Sequence, residues 1–277
     1  MRVLKFGGKS LANGEPLRLS LNIIQEIAES DDTPPLVVVS ARGKTTDRLL
    51  ELAHLAEAGK PWRESYHQLL ADQGEGTEGL SDRLTRLLEG IELLGECSAK
   101  TLDEVLSFGE IFSAHHIARL LPHALPIDAG DLIVTDNSYG EATVELKESE
   151  DKTRSYFARL PVDTLPIVTG FIARSDEGVR TTLGRNGSNY TAALLANFLD
   201  ASQLDNYSNI DGIYSAHPDI VLSAHKIPKL SIRPSGTEPK IKFYMEVHAS
   251  PKDPSQLAEA RHSCNERVEA IRKQLDI

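Results

Sequence analysis

Aromatic side chains are scarce in this 277-residue chain: seven Phe, seven Tyr and one Trp make up 5% of it. So thin a supply leaves few candidates for a base-stacking surface of the kind that holds single-stranded nucleic acid. Basic residues are in deficit too. Thirty Lys and Arg stand against 41 Asp and Glu, a formal net charge of −11, which argues against nucleic acid or an anionic membrane as the main partner. Cys97 and Cys264 lie far apart with no CxxC pairing, the pattern of reduced thiols rather than of a disulfide framework. No run approaches the ~20 apolar residues of a membrane span, and the start, Met1-Arg-Val-Leu-Lys-Phe-Gly-Gly8, has no stretch fit for a signal peptide. The expectation is a cytoplasmic protein with no membrane partner. Neither a P-loop signature nor a GxGxxG fingerprint after the first strand is present.

What is present is an ordinary globular balance, 40% apolar and 26% charged, arranged in a repeating pattern. Val3-Leu-Lys-Phe6 reads as a strand that stops at Gly7-Gly8. Leu17, Leu21, Ile24 and Ala28 follow at helical spacing. Pro34-Pro35 opens Leu36-Val-Val-Val39, a continuous apolar run suited to a parallel strand buried on both faces. A second turn, Ser40 to Thr46, leads to a helix with Leu49, Leu52, Ala53 and Ala56 on one side. Residues 60–82 are polar and glycine-bearing and read as an irregular or helical excursion. Leu84, Leu87, Leu88, Ile91 and Leu94 then make another stripe. Pro166-Ile-Val-Thr-Gly170 is a further strand, and Gly184-Arg-Asn-Gly-Ser188 is a turn feeding a helix with Thr191, Leu194, Leu195 and Phe198 on one side. Strand, glycine turn and helix in alternation predict an α/β protein, with a mostly parallel sheet between helical layers. Ligands of such sheets bind beyond the carboxyl ends of the strands. Backbone N–H groups at Gly7, Gly8 and the start of the last helix suit phosphate or carboxylate oxygens, and Lys5 is placed to add a point charge. The adjacent His115 and His116 do not share a helical face and have no third ligand at a suitable spacing, so no protein-held metal is expected there.

Five segments carry a resemblance. Lys5-Phe-Gly-Gly-Lys-Ser-Leu-Ala-Asn13 looks like the opening KFGGTSxAN motif of aspartokinases. Val39-Ser-Ala-Arg-Gly-Lys-Thr-Thr46, Ser107-Phe-Gly-Glu110, Thr182-Leu-Gly-Arg-Asn-Gly-Ser-Asn-Tyr-Thr191 and Ile210-Asp-Gly-Ile-Tyr214 resemble the motifs that follow it, in family order. The match is nearest to the kinase part of the fused aspartokinase–homoserine dehydrogenases and covers residues 1 to about 228. It implies the amino-acid-kinase fold, a three-layer α-β-α sandwich, and transfer of the γ-phosphate of ATP, with Mg²⁺ carried by the nucleotide, to the side-chain carboxylate of L-aspartate. Carried over by motif, Lys5 and Asn189 are catalytic. Glu110 holds the substrate ammonium, Arg185 its carboxylate, and Thr46, Phe171 and Ser188 complete the substrate pocket. Gly7, Gly8, Lys9, Ser10, Ser40, Ser208, Asn209, Asp211 and Tyr214 face the nucleotide and its phosphates. A homo-oligomer is compatible with this reading.

The chain also departs from that pattern. Lys9 stands where the family usually has Thr, Asn189 and Asn209 where it has Asp, and Asp219 where it has Arg. The first three changes make the site more positive, and Lys9 is expected to add a second phosphate-facing cation. After Ser231 the usual remainder of the nucleotide lobe is missing. Instead, Ile232-Arg-Pro-Ser-Gly-Thr-Glu-Pro-Lys-Ile-Lys-Phe-Tyr-Met-Glu-Val247 resembles the last domain of phosphoglucomutases and phosphomannomutases. There Arg233, Ser235, Gly236 and Thr237 match a loop that grips a sugar phosphate. The expected division is a kinase-like domain over residues 1–228 and a mutase-like strand–loop–strand–helix fragment over 229–277. Two readings of function stay open at this point: an aspartate kinase, or a kinase scaffold that binds aspartate or phosphate without transfer.

Overall fold

A computed structural model describes residues 1–74, 78–208, 230–234 and 241–245. Backbone contacts divide the chain into two compact units, Met1–Asn209 and Ile210–Ile277.

The first unit is built on five parallel strands. β1 (Arg2–Phe6) lies between β2 (Leu36–Val39) and β8 (Gln203–Tyr207), β5 (Leu165–Thr169) flanks β2, and β3 (Ala124–Ile127) forms one edge, so the order is β3-β5-β2-β1-β8. All four pairings are parallel, as the alternating strand–helix pattern predicts. Every side chain of Leu36–Val39 is fully buried, each stabilising the fold by roughly 1.5–3 kcal/mol. The run can be apolar throughout because both faces are covered. Val3, Leu36, Val38 and Val168 pack with Leu194, Leu195 and Phe198 of α7 (Gly187–Phe198). Leu4, Phe6, Val37 and Val39 face the other way. They meet Leu17 and Ile24 of α1 (Glu15–Ser30), and Ala114 and Ile117 of α5 (Ala99–Leu120).

A smaller sheet covers part of the α7 side. β4 (Val134–Thr135) pairs in parallel with β6 (Ile172–Ser175), which pairs antiparallel with β7 (Arg180–Thr182). The Gly184 turn therefore follows a strand of this small sheet and not one of the parallel strands. The excursion over 60–82 is helical where described: α3 (Arg63–Gln73) leads to α4 (Glu78–Leu94). Together with α2 (Thr45–Glu57) and the first half of α5 they enclose Trp62, Leu69, Leu84, Leu88, Ile91, Phe108 and Phe112. The apolar stripe of α4 ends sooner than its spacing suggests, for Leu94 is 78% exposed; the helix runs past the edge of its core. α6 (Leu146–Phe157) packs beside the small sheet, its Ser149 hydroxyl accepting from the Val134 amide at 2.9 Å. Among the described residues no helix is long and apolar enough to cross a membrane.

In the second unit β9 (Leu230–Pro234) pairs antiparallel with β10 (Ile241–Met245), Arg233 opposite Lys242. Ser235, Gly236, Thr237, Asn209, Asp211, Tyr214 and the expected boundary at 228/229 lie outside the described residues.

Candidate active site

β1 and β2 run parallel with Lys5 beside Val38 and Phe6 beside Val39, so their carboxyl ends deliver two turns to one place. The turns interlock. The Gly43 amide donates to the Gly8 carbonyl at 2.8 Å, and a Cβ on Gly8 would stand 2.5 Å from the Ala41 carbonyl oxygen. No side chain fits there, which is the physical reason for glycine at position 8. α5 closes on the same turn at Gly109, where a Cβ would stand 2.7 Å from that of Ala41. The next residue, Glu110, is thereby brought to the turn, and the Ala41 amide donates to its Oε1 at 3.0 Å.

The result is a cavity of about 250 Å³ lined by Lys5, Gly8, Ser40, Ala41, Thr46, Glu110, Phe171, Gly184, Asn186, Gly187, Ser188 and Asn189. The far wall comes from the small sheet and α7. A Cβ on Gly170 would stand 2.5 Å from that of Ser188. The Phe171 amide donates to the Thr191 hydroxyl at 3.1 Å, and its carbonyl accepts from the Leu183 amide at 2.8 Å. These bonds hold Phe171 at φ +67°, a left-handed conformation uncommon for an aromatic residue.

Burial shapes the electrostatics. Glu110 is buried and its carboxyl is pushed up to about 8; desolvation causes the shift, and hydrogen bonds and the Lys5 charge only partly offset it. Desolvation lowers the Lys5 ammonium, again with Glu110 opposing. Glu110 Oε2 and Asn189 Oδ1 are buried and have no hydrogen-bond partner among the described residues. A carboxyl oxygen and an amide oxygen left unpaired beside one cavity favour a polar ligand there.

Of the residues expected from the sequence, eight line this cavity: Lys5, Gly8, Ser40, Thr46, Glu110, Phe171, Ser188 and Asn189. Gly7 stands next to it, with a Cβ position 3.6 Å from Lys5 Nζ, but its amide already donates to the Tyr207 carbonyl at 3.0 Å. That bond continues the β1–β8 ladder, so the phosphate-cradling role expected of the Gly7 amide is corrected here: the N–H is committed to the sheet. Lys9, Arg185 and Ser208 are exposed and Ser10 is half-buried, all outside the lining. The Ser10 carbonyl accepts from Ser20 instead. Ala41, Gly184, Asn186 and Gly187 were not singled out from the sequence, although each lies within a segment that carries the resemblance.

The model of the amino acid kinase family matches residues 1–237. Among curated proteins, the lysine-sensitive aspartokinase 3 of Escherichia coli (strain K12) is 30% identical over 243 residues, covering 83% of this chain and 53% of its own length. Chloroplastic bifunctional aspartokinase/homoserine dehydrogenase 1 of Arabidopsis thaliana is 31% identical over 252 residues, 83% of this chain and 27% of that one. Among solved structures, E. coli aspartokinase III in complex with aspartate and ADP (R-state) superposes with a TM-score of 0.73 at 30% identity, covering 82% of this chain and 53% of that one. The chain thus spans about half the length of the first of these relatives and about a quarter of the second. With a family model matched across most of its length and the strands, turns and helices of the fold in place, the chain belongs to the amino acid kinase family.

Proposed function

We propose that this chain is an ATP-dependent aspartate kinase, joining the γ-phosphoryl group to the side-chain carboxylate of L-aspartate. The observation that carries the reading is the buried Glu110 carboxyl, held by one oxygen on the Ala41 amide and unpaired at the other, in the same cavity as Lys5. An amino-acid ammonium supplies the missing donors to Glu110 Oε2 and Asn189 Oδ1. It also returns Glu110 to its charged form, since a cation at hydrogen-bond distance offsets desolvation. The structure of the E. coli relative with aspartate and ADP supports the same pairing of ligands.

The acceptor carboxylate, with an ordinary pKa near ~3.9, is already ionised at neutral pH and needs no general base. One of its oxygens forms a bond to the γ-phosphorus while the bond from that phosphorus to the β–γ bridging oxygen breaks. The leaving electron pair stays on ADP. Positioning and charge neutralisation supply the catalysis. Lys5 Nζ, beside Gly7, is placed to meet the negative charge of the transferring group. Thr46 and Ser188 offer hydroxyls to the substrate, Ser40 offers one to the phosphates, and Arg185 reaches the α-carboxylate by turning in from the rim, its planar fork suited to that group. Mg²⁺ enters with the nucleotide, carried on its phosphates.

The test is ADP release from MgATP with and without L-aspartate, with the acyl phosphate trapped by hydroxylamine. Aspartate-dependent hydroxamate is the expected outcome. Aspartate binding without turnover would leave a scaffold that binds its ligand and transfers nothing.

A further inference from the structure

We propose that Asp103 is a positioning residue that sets the Gly184–Asn189 wall of the cavity at a fixed distance from Glu110, and so determines affinity for the amino-acid substrate. The proposal rests on the kinase reading above for its substrate, and on geometry alone for its mechanism.

Asp103 is 2% exposed and touches none of the cavity. It lies seven residues before Glu110 on α5. Seven residues make two helical turns, so the two carboxyls share a face about 10 Å apart along the axis. Each takes hold of a different wall. Glu110 Oε1 accepts from the Ala41 amide on the β2 turn. Asp103 Oδ2 accepts from the Thr182 amide at 3.0 Å and the Gly140 amide at 2.9 Å, while Oδ1 accepts from the Thr182 hydroxyl at 2.8 Å.

Thr182 is the last residue of β7, two positions before Gly184. The second segment that Asp103 holds is packed on that same glycine. A Cβ on Gly184 would stand 2.7 Å from Glu141 Cγ and 3.3 Å from the Gly140 carbonyl oxygen. Gly184 has φ +67°, Asn186 has φ +61°, and the Gly187 amide donates back to the Gly184 carbonyl at 3.1 Å. The turn thus takes its place from Thr182 and Gly140, which Asp103 ties to α5 while the β6–β7 ladder pairs Thr182 with Ile172. Small displacements of substrate-holding groups carry large consequences for binding and rate.

The experiment compares full-length Asp103→Ala and Asp103→Asn with the unaltered chain by hydrogen exchange over 183–190 and by steady-state kinetics. Alanine removes all three bonds. Asparagine keeps two, because its carbonyl oxygen can accept from both amides while its NH₂ donates to the Thr182 hydroxyl, which turns its own proton towards the Gly140 carbonyl 3.3 Å away. For Asp103→Ala we expect exchange of the turn amides and KM for L-aspartate each to rise about tenfold or more, with KM for MgATP within about twofold. Asp103→Asn should restore both to within about threefold of the unaltered chain.

Unchanged KM for aspartate overturns the proposal, even where exchange quickens or melting temperature falls, because a purely structural carboxylate would do that. Raised KM without faster exchange over 183–190 overturns it too. If the alanine variant does not fold, Thr182→Val, which removes the hydroxyl's contacts to Asp103 and the Gly140 carbonyl but keeps both amide bonds to Asp103, must move both readouts in the same direction or the proposal fails. Exchange needs no substrate, so the two readings fail separately. An unaltered chain that makes no acyl phosphate counts against the kinase, and undisturbed turn amides in the variants count against Asp103.

Discussion

β1 and β2 reach the cavity as strands of a sheet packed in apolar side chains, whereas β6 and β7 reach it from a sheet held by charges and hydroxyls. Val3, Leu4, Phe6 and Leu36–Val39 have no exposed surface, and water exclusion does the work. In the small sheet, Arg180 donates to both Asp128 oxygens at 2.6 and 2.7 Å, and Arg174 joins Asp128 to Asp131. Thr135 and Thr181 share a hydroxyl bond at 2.7 Å. Two walls of one site thus have different failure modes. The first responds to lost volume and the second to an unpaired partner.

Replacing the charge that the apolar sheet carries into the site should give the largest effect. Lys5→Met is expected to lower kcat on the order of 10³-fold, read by hydroxamate formation, with little loss of fold because Lys5 is already desolvated.

Next is the stability contrast, read by denaturant unfolding. Leu36→Ala should cost about 2–5 kcal/mol through lost burial and a residual void. Arg180→Met should cost about 3 kcal/mol at neutral pH, the lower end for a buried pair because Arg174 still faces Asp128. The two should part on acidification. Burial alone would raise the Asp128 carboxyl, yet the Arg180 bonds hold it below the usual range. A depressed carboxyl contributes stability above its unfolded pKa, and that contribution is lost as pH falls through the folded value. The Arg180→Met loss should therefore shrink below about pH 4, while the Leu36→Ala loss should not. Equal pH dependence would erase the distinction between the walls.

The smallest effect concerns pH and substrate. Glu110 lies at about 8 in the empty site, and an ammonium ligand needs the carboxylate. KM for aspartate should fall on the order of tenfold between about pH 6.5 and 8.5, and Glu110→Gln should flatten the profile. A profile that stays steep in the variant would assign the titration to another group.

Much of the parallel sheet and the candidate site was readable from residues. Leu36–Val39 announces a strand buried on both faces, and Gly7-Gly8 announces the turn that ends β1. Lys5, Thr46, Glu110, Ser188 and Asn189 stand in segments whose resemblance is specific. The small sheet was harder to read because Val134–Thr135 and Arg180–Thr182 are too short for period-two alternation to register. Leu94 shows the opposite error, a residue with the right spacing and no core opposite it. The Gly7 amide was assigned to a ligand because sequence shows that an N–H exists and not where it goes.

The residues alone determined the α/β class, the three glycine turns and the chemistry at hand: a cation in β1, a carboxylate in α5, hydroxyls and an amide at the start of α7. These follow from local periodicity and from which side chains carry charge. Only the tertiary structure decided that burial would push the Glu110 carboxyl up, that Gly7 would serve the sheet, and that Asp103 would hold the opposite wall. Each of these depends on desolvation or on a hydrogen bond across dozens of residues, from 37 between Asp103 and Gly140 to 200 between Gly7 and Tyr207. No local pattern records such distances, because they come into being only when the chain has folded.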